Sequence, residues 1–141
     1  MATEPAPPLI IELVERFNLN KDHYLSQHYN EEQVRHEFIN PMFELLGWDM
    51  MNRDGFSDAY KDVVYEGAIK AGAPDYCFRI GGVRKFFLEA KAPHVDLATS
   101  WQSAVQLRSY AWSQKLALSA LSNFAHFAVY DGRIPIRTRI P

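Results

Sequence analysis

Two acidic residues and one lysine occupy positions that suit metal-assisted hydrolysis. Asp75 opens one run of β-strand character, Glu89 comes near the end of the next, and Lys91 follows two residues later. Mg²⁺ prefers oxygen ligands and commonly takes one or two carboxylates beside waters and phosphate oxygens of the substrate. A nearby ammonium can hold an attacking water or stabilise charge that develops on the phosphate. These residue types predict hydrolysis of a phosphodiester bond assisted by a divalent cation.

A glycine pair between the two runs positions these acids. If residues 81–83 form a three-residue hairpin loop, Asp75 faces Glu89 across the strand pair. Facing Cβ atoms are roughly 4.5–5.5 Å apart, so two carboxylates there repel unless a cation lies between them. The main-chain carbonyl of Ala90 is a further candidate ligand for that cation. A two-residue turn would instead put Asp75 opposite Leu88.

Alternation along the two runs predicts one core face and one mostly charged face. The expected core face carries Tyr76, Phe78, Ile80, Phe86, Leu88 and Ala90. The expected charged face carries Asp75, Cys77, Arg79, Lys85, Phe87, Glu89 and Lys91.

The order of the surrounding elements predicts an α/β fold. Apolar spacing indicates a first helix from Leu9, and Asn30 with Gln33 resembles a capping box that opens a second. Pro41 removes an amide that would bond to the carbonyl of Glu37, so a kink is expected near residues 37–41. Strand-like runs follow at 63–66, 74–80 and 85–92, then a helix at 98–115 and strands at 116–122 and 124–131. The order ααβββαββ predicts a mixed β-sheet flanked by helices.

Composition and charge set the context for this site. With 141 residues, 48% of them hydrophobic, the chain can bury the core of one domain without disulfides or a structural metal. Its single cysteine cannot form an internal disulfide, and no export signal or membrane segment is evident, so the cytoplasm is expected. The formal charge of −2 is unlike a stand-alone DNA binder. A module of a larger protein is the better interpretation.

Two motifs resemble a known family. Pro74-Asp75 with Glu89-Ala90-Lys91 resembles the signature of PD-(D/E)XK nucleases, and the segment from Gln106 to Tyr110 resembles the QxxxY motif of their restriction-enzyme and helicase-nuclease branches. The resemblance implies a restriction-endonuclease-like fold, DNA as substrate and Mg²⁺ as cofactor. It implies catalytic roles for Asp75, Glu89 and Lys91, and accessory roles for Gln106 and Tyr110. The segment 34–48 resembles the family's helix that supplies a further acid, here Glu37.

The resemblance also implies partners and boundaries. It extends to the N-terminal nuclease domain of type IIG restriction-modification enzymes and to that of type I restriction subunits. The expected partners are therefore DNA and methyltransferase, recognition or translocase domains or subunits, with a dimer for double-strand cleavage. Residues 1–8 are expected to be disordered, 9–135 to form the nuclease domain, and 136–141 to lead to further domains.

Simpler interpretations stand beside these. The charged trio could be a surface salt-bridge cluster, Glu37 a solvated helix residue, and Gln106 with Tyr110 a packing pair. The five histidines are scattered and receive no role, and Cys77 is interpreted as structural. A catalytically silent module that binds DNA or a partner subunit is the alternative function. An unrelated interaction domain would require the motifs to coincide by accident.

Overall fold

The computed structural model describes residues 4–134, which form five strands in one sheet with helices on both faces. The helices are α1 (Pro8–Leu19), α2 (Lys21–Tyr24), α3 (Glu31–Val34), a π-helical turn (Arg35–Ile39), α4 (Asn40–Leu45) and α5 (Trp101–Ser113). Short 3₁₀ turns span Glu66–Ala68 and Leu97–Thr99. The strands are β1 (Val63–Val64), β2 (Tyr76–Ile80), β3 (Val83–Ala90), β4 (Leu118–Ser122) and β5 (Phe127–Asp131).

The sheet is mixed, as the sequence predicts. Its strands lie in chain order from β1 to β5, and every neighbouring pair is antiparallel except β3 and β4, which are parallel. The parallel pair requires a crossover, and α5 provides it. The α/β class with a five-stranded mixed sheet therefore agrees with a restriction-endonuclease-like fold.

The second helix begins and bends as expected. The Asn30 side chain accepts from the Gln33 amide at 2.9 Å, and the Gln33 side chain accepts from the Asn30 amide at 2.9 Å, which confirms the capping box. A π-helical turn over residues 35–39 then precedes Pro41. Pro41 has no N–H to donate to the Glu37 carbonyl. That carbonyl instead accepts a hydrogen bond from the Arg16 guanidinium at 2.6 Å. Helix α1 thus compensates for the proline.

The turn between β2 and β3 differs from the prediction. Ile80 faces Val83, so the loop has two residues, and both glycines have positive φ, 57° for Gly81 and 79° for Gly82. These angles fit the tight hairpin turns that favour glycine at both central positions. A Cβ at Gly82 would also meet the Ala59 carbonyl oxygen at 2.4 Å, so only glycine fits there.

A β-bulge corrects the register within the same hairpin. Arg79 faces Arg84, but the next pair is Phe78 with Phe86, so Lys85 has no partner across the strands. One extra residue on β3 offsets the shorter turn. Tyr76 then faces Leu88, and the same register continued by one position sets Asp75 opposite Glu89. The predicted opposition holds although the predicted loop was wrong.

Both faces of the sheet are covered, which corrects the expectation of one charged face. The larger core packs aromatic and aliphatic side chains of β2 and β3 against helices α1, α3 and α4. On the opposite face, Cys77 and Phe87 pack beneath Leu107 and Ala111 of α5. The alternation predicts the sides correctly, but α5 buries the centre of the second face and leaves its charged residues at the margins.

The helical and strand ends depart from the sequence prediction in detail. The stretch of residues 18–29, which is polar and has no clear apolar period, contains α2. Helix α1 begins at Pro8, inside the segment expected to be disordered, while residues 1–3 and the predicted tail at 136–141 lie outside the described residues. No helix in residues 4–134 has the length and apolar character that crossing a bilayer demands.

Candidate metal and catalytic site

Three carboxylates meet at the open end of the β2–β3 hairpin. Glu31, Asp75 and Glu89 each offer one oxygen, and these oxygens lie within 4.8 Å of one another. All three side chains are partly buried. Among the described residues this is the one group of three potential metal-binding side chains. The structure thus brings Asp75 and Glu89 together, as the sequence predicts, and adds Glu31.

The backbone fixes Asp75 in this group. Its Oδ2 accepts a hydrogen bond from the amide of Ala90 at 2.8 Å, which ties the carboxylate to the end of β3. On the other side, Gly67 leaves so little room that an added Cβ would lie 3.3 Å from the Asp75 Cα and 3.4 Å from its Oδ1. Asp75 therefore has a fixed position beside Glu89 before any ion binds.

Glu31, and not Glu37, supplies the third acid. Glu37 is exposed, and its carboxylate accepts a hydrogen bond from the Tyr29 hydroxyl. Glu31 opens α3, three residues before the fully buried Val34, whereas Glu37 lies within the π-helical turn and is exposed beside the fully buried Phe38. The kink expected near residues 37–41 was the signal in the sequence that Glu37 need not face the sheet.

The carboxylate cluster resists full ionisation without a cation. Burial raises the pKa of Glu89, and the neighbouring Asp75 charge raises it further. Burial likewise raises the pKa of Glu31, again with a contribution from Asp75. The Lys91 charge lowers both pKa values but does not offset these effects. The site therefore favours a bound cation, a proton or both.

The donor set fits a hard divalent ion. Three carboxylate oxygens are the type of ligand that Mg²⁺ and Ca²⁺ prefer, and the group contains no thiolate or imidazole that would favour a softer metal. Asp75 directly precedes β2, Glu89 lies in the adjacent β3, and Glu31 opens the helix α3 that packs on the sheet. The ligands would thus come from three elements that the core holds together.

A cleft of about 180 Å³ opens beside the carboxylates. Its lining comprises Gly72, Ala73, Glu89, Lys91, Ser103 and Gln106. Lys91 is therefore beside Glu89, and its amide donates to the Ser122 carbonyl at 2.8 Å, which anchors its backbone to β4. Grooves of about 520 and 580 Å³ elsewhere include none of these lining residues.

The two residues of the QxxxY motif have different surroundings. Gln106 lines the cleft, and its side-chain amide donates to the Gly72 carbonyl at 3.4 Å. Tyr110 packs edge-on against Phe87 with ring centroids 5.2 Å apart, and the Lys70 ammonium lies 5.6 Å from its ring centroid. The structure brings Gln106 to the candidate site, whereas the Tyr110 ring contributes to the core beneath α5.

Part of a restriction enzyme is similar to this chain. This relative is the type II restriction enzyme and methyltransferase RM.Eco57I of Escherichia coli, and it is 42% identical to the chain over 125 residues, or 84% of the chain. The chain spans 12% of the length of that relative. No family model matches the chain, and no solved structure matches it. The similarity supports a nuclease-like domain of the restriction-enzyme kind.

A surface salt-bridge cluster describes the candidate site poorly. Among the described residues, Lys91 forms no salt bridge with Asp75 or Glu89, and the one ion pair within the three acids joins Asp75 to Arg35 at 3.7 Å. The three carboxylates thus outnumber their close cationic partners. The side chain of Asp75 is only 14% exposed. Exposed pairs hold together opposite charges that water already solvates well, whereas this site gathers like charges out of water.

The remaining nucleophile and bases lie outside this arrangement. Cys77 is fully buried beneath α5, and burial raises the pKa of its thiol to about 12, which agrees with a structural role. None of the five histidines belongs to the carboxylate group or lines the cleft beside Glu89. The chemistry of the site therefore rests on carboxylates, one ammonium, one guanidinium and one amide.

Proposed function

We propose that this chain is a Mg²⁺-dependent endonuclease domain that hydrolyses DNA phosphodiester bonds within a restriction-modification system. The observation that carries the proposal is the meeting of Glu31, Asp75 and Glu89 beside Lys91. Like charges gathered out of water need a cation, and a divalent ion leaves coordination positions for phosphate oxygens and water. The family resemblance carried by Asp75, Glu89 and Lys91 points to the PD-(D/E)XK nucleases.

Some residues of the site would bind the ion, and others would contact the attacking water or the phosphate. Asp75, Glu89 and the main-chain carbonyl of Ala90 would hold Mg²⁺, with Glu31 as a third carboxylate. When bound, the ion would polarise the scissile phosphate and make an attacking water more acidic. The ammonium of Lys91 would donate to that water or to a phosphate oxygen in the transition state.

Gln106 is proposed as an accessory residue on the same cleft. Its amide already donates to Gly72, so its oxygen is oriented for a water or a nucleic acid donor. The packing of Tyr110 against Phe87 suits a supporting role, in which Tyr110 holds α5 and thereby Gln106 in place.

The partners follow from charge and from the relative. With a net charge of −2, the chain is unlike a stand-alone binder of duplex DNA, so other domains or subunits would supply most of the affinity. The relative's name joins a restriction enzyme to a methyltransferase, which favours a fused methyltransferase over a translocase. A dimer for double-strand cleavage and a cytoplasmic location remain part of the proposal.

A plasmid-nicking assay tests the proposed activity. Supercoiled DNA is incubated with wild type, Asp75→Asn and Glu89→Gln at low salt, in Mg²⁺, in Ca²⁺ and in chelator. Wild type is expected to nick the plasmid in Mg²⁺ alone, and the two variants to be inactive. DNA binding without nicking in any of these ions would favour the catalytically silent module instead. Equal nicking by the variants would show a contaminating nuclease and remove the proposal's support.

A further inference from the structure

A partly buried arginine stands inside the carboxylate group. The Arg35 Nη1 lies 3.7 Å from the Asp75 Oδ1, and the two side chains are 27% and 14% exposed. This distance is longer than a hydrogen bond, so charge alone joins the two groups. Arg35 follows Glu31 by four residues on the same helical segment, and its charge lowers the pKa of Glu31. The guanidinium therefore acts on at least two of the three acids.

Few specific bonds hold this guanidinium. It lies over the Tyr76 ring, 5.4 Å from the centroid, while the Tyr76 hydroxyl donates to Asn40 at 2.6 Å. The Arg35 Nε is buried and has no hydrogen-bond partner in the part of the chain that the structure describes. An unpaired buried donor is destabilising. Contacts with the Tyr76 ring and hydroxyl and attraction by the carboxylates offset that penalty, so the position of Arg35 depends in part on the carboxylate charge.

The charge balance shows what Arg35 does in the absence of an ion. Three carboxylates meet here, with Lys91 and Arg35 as the neighbouring cations. Without Arg35, one ammonium would face three acids in a partly buried site. A divalent ion would then meet a more negative site, whereas with Arg35 it must compete with a cation already beside Asp75.

We propose that Arg35 is a built-in counter-cation: it neutralises Asp75 while no divalent ion is bound, and it weakens the binding of that ion by competing for the same carboxylate. The inference rests on the proposed metal site. It makes Arg35 a positioning residue, since it acts through Asp75. It also gives the domain a folded metal-free state, which a cluster of three unbalanced carboxylates would disfavour.

The size of the effect follows from how charges change carboxylates. An opposite charge within about 4–6 Å changes the proton affinity of a carboxylate by roughly ten- to a thousandfold. Arg35 is partly exposed to water, which screens its charge, so the lower end of that range applies. Removing the charge should therefore raise the affinity for a divalent ion by about tenfold.

Binding of Mn²⁺ tests this inference without any measurement of DNA cleavage. Free Mn²⁺ is counted by electron paramagnetic resonance at mildly alkaline pH, where the carboxyl groups are more fully ionised. Arg35→Met is expected to bind Mn²⁺ about tenfold more tightly than wild type, while Arg35→Lys keeps the charge and stays within about threefold. The matched control is Arg84→Met, which removes the charge of an arginine in β3 that pairs with Glu66 at 2.8 Å. It should bind Mn²⁺ like wild type.

The outcomes separate this inference from the proposed function. If wild type binds Mn²⁺ no better than Asp75→Asn, the metal site itself is refuted. If wild type binds but Arg35→Met binds equally or more weakly, only the counter-cation is refuted. Should Arg35→Met fail to fold, the double variant Arg35→Met with Asp75→Asn decides. Without the Asp75 carboxylate, the site no longer needs the Arg35 charge to neutralise it. Recovery of folding in the double variant supports the inference, and persistent unfolding overturns it.

Discussion

The two ends of the β2–β3 hairpin obey different constraints. At the turn end, Gly81 and Gly82 take positive φ angles and Lys85 has no cross-strand partner. At the open end, Asp75 and Glu89 must share a site, so a shift of one residue would move a carboxylate to the other face. Between the two ends lie the buried pair Tyr76–Leu88 and the pair of buried Phe78 with half-buried Phe86. Packing of these pairs, rather than the turn, sets the register on which the chemistry depends.

The largest expected difference between the two ends is in catalysis. Lys91→Ala should slow Mg²⁺-dependent nicking by roughly a hundredfold or more, as loss of one preorganised charge often does. Lys85→Ala removes the same charge from the same strand at the exposed bulge, about 20 Å away at roughly 3.3 Å per residue, and should leave the rate unchanged. Initial rates and DNA affinity are measured for both. Equal losses in the two variants would mean that Lys91 contributes only general positive charge.

The second difference concerns pH and the metal-free fold. The pKa of Glu89 is raised in the folded protein, so its contribution to stability is complete below the unfolded pKa and is lost as pH rises through the folded pKa. Each unit of difference between the two pKa values corresponds to about 1.4 kcal/mol. In chelator, wild type should therefore lose stability from weakly acidic to alkaline pH relative to Glu89→Gln. The melting temperatures of the two, followed across pH, measure this loss.

Saturating Mg²⁺ should reduce that pH dependence, because the ion favours the ionised carboxylate. The matching experiment repeats the melts of wild type and Glu89→Gln in Mg²⁺ at constant ionic strength. If the two proteins show parallel pH profiles in chelator, Glu89 does not carry a raised pKa and the site is less crowded than its geometry indicates.

The contrast between the ends also explains what the sequence could predict. The identities of Asp75, Glu89 and Lys91, the mixed sheet and the capping box at Asn30 depend on local spacing and period, which are visible in the sequence. The two-residue turn and the bulge were not predictable, because a glycine pair suits either loop length and only packing of the phenylalanine pair selects the register. Glu31 was not predicted because it lies before the segment 34–48 that resembles the acid-bearing helix of the family, and because the π-helical turn at residues 35–39 leaves Glu37 exposed.

The third expected difference is in stabilisation by the ion. If Mg²⁺ binds with a Kd on the order of 1 mM, about 10 mM of it adds roughly 1.4 kcal/mol to the free energy of unfolding. For a domain near this size, that raises the melting temperature by about 3–6 °C. Asp75→Asn should lose most of this shift. Asp58→Asn, which changes a 95% exposed acid near the turn end, should keep it.

Thermal melts in chelator and in Mg²⁺, at constant ionic strength, provide the comparison. An unchanged Mg²⁺ shift in Asp75→Asn would mean that the ion binds elsewhere. Loss of the shift in both variants would instead indicate a diffuse effect of negative charge.

The smallest expected effect comes from deleting Lys85. Without it, Phe86 follows Arg84 directly, so Phe78 still faces Phe86 and the pairs toward Asp75 and Glu89 are unchanged. The bulged hairpin becomes a regular one on the same two-residue turn, and the stability should change by no more than about 0.5 kcal/mol, as at other exposed sites. Nicking should persist. The control inserts one alanine between Leu88 and Glu89, which turns Glu89 and Lys91 to the opposite face and should abolish nicking. If deletion of Lys85 abolishes nicking while the domain remains folded, the turn controls the register after all, and the two ends are not independent.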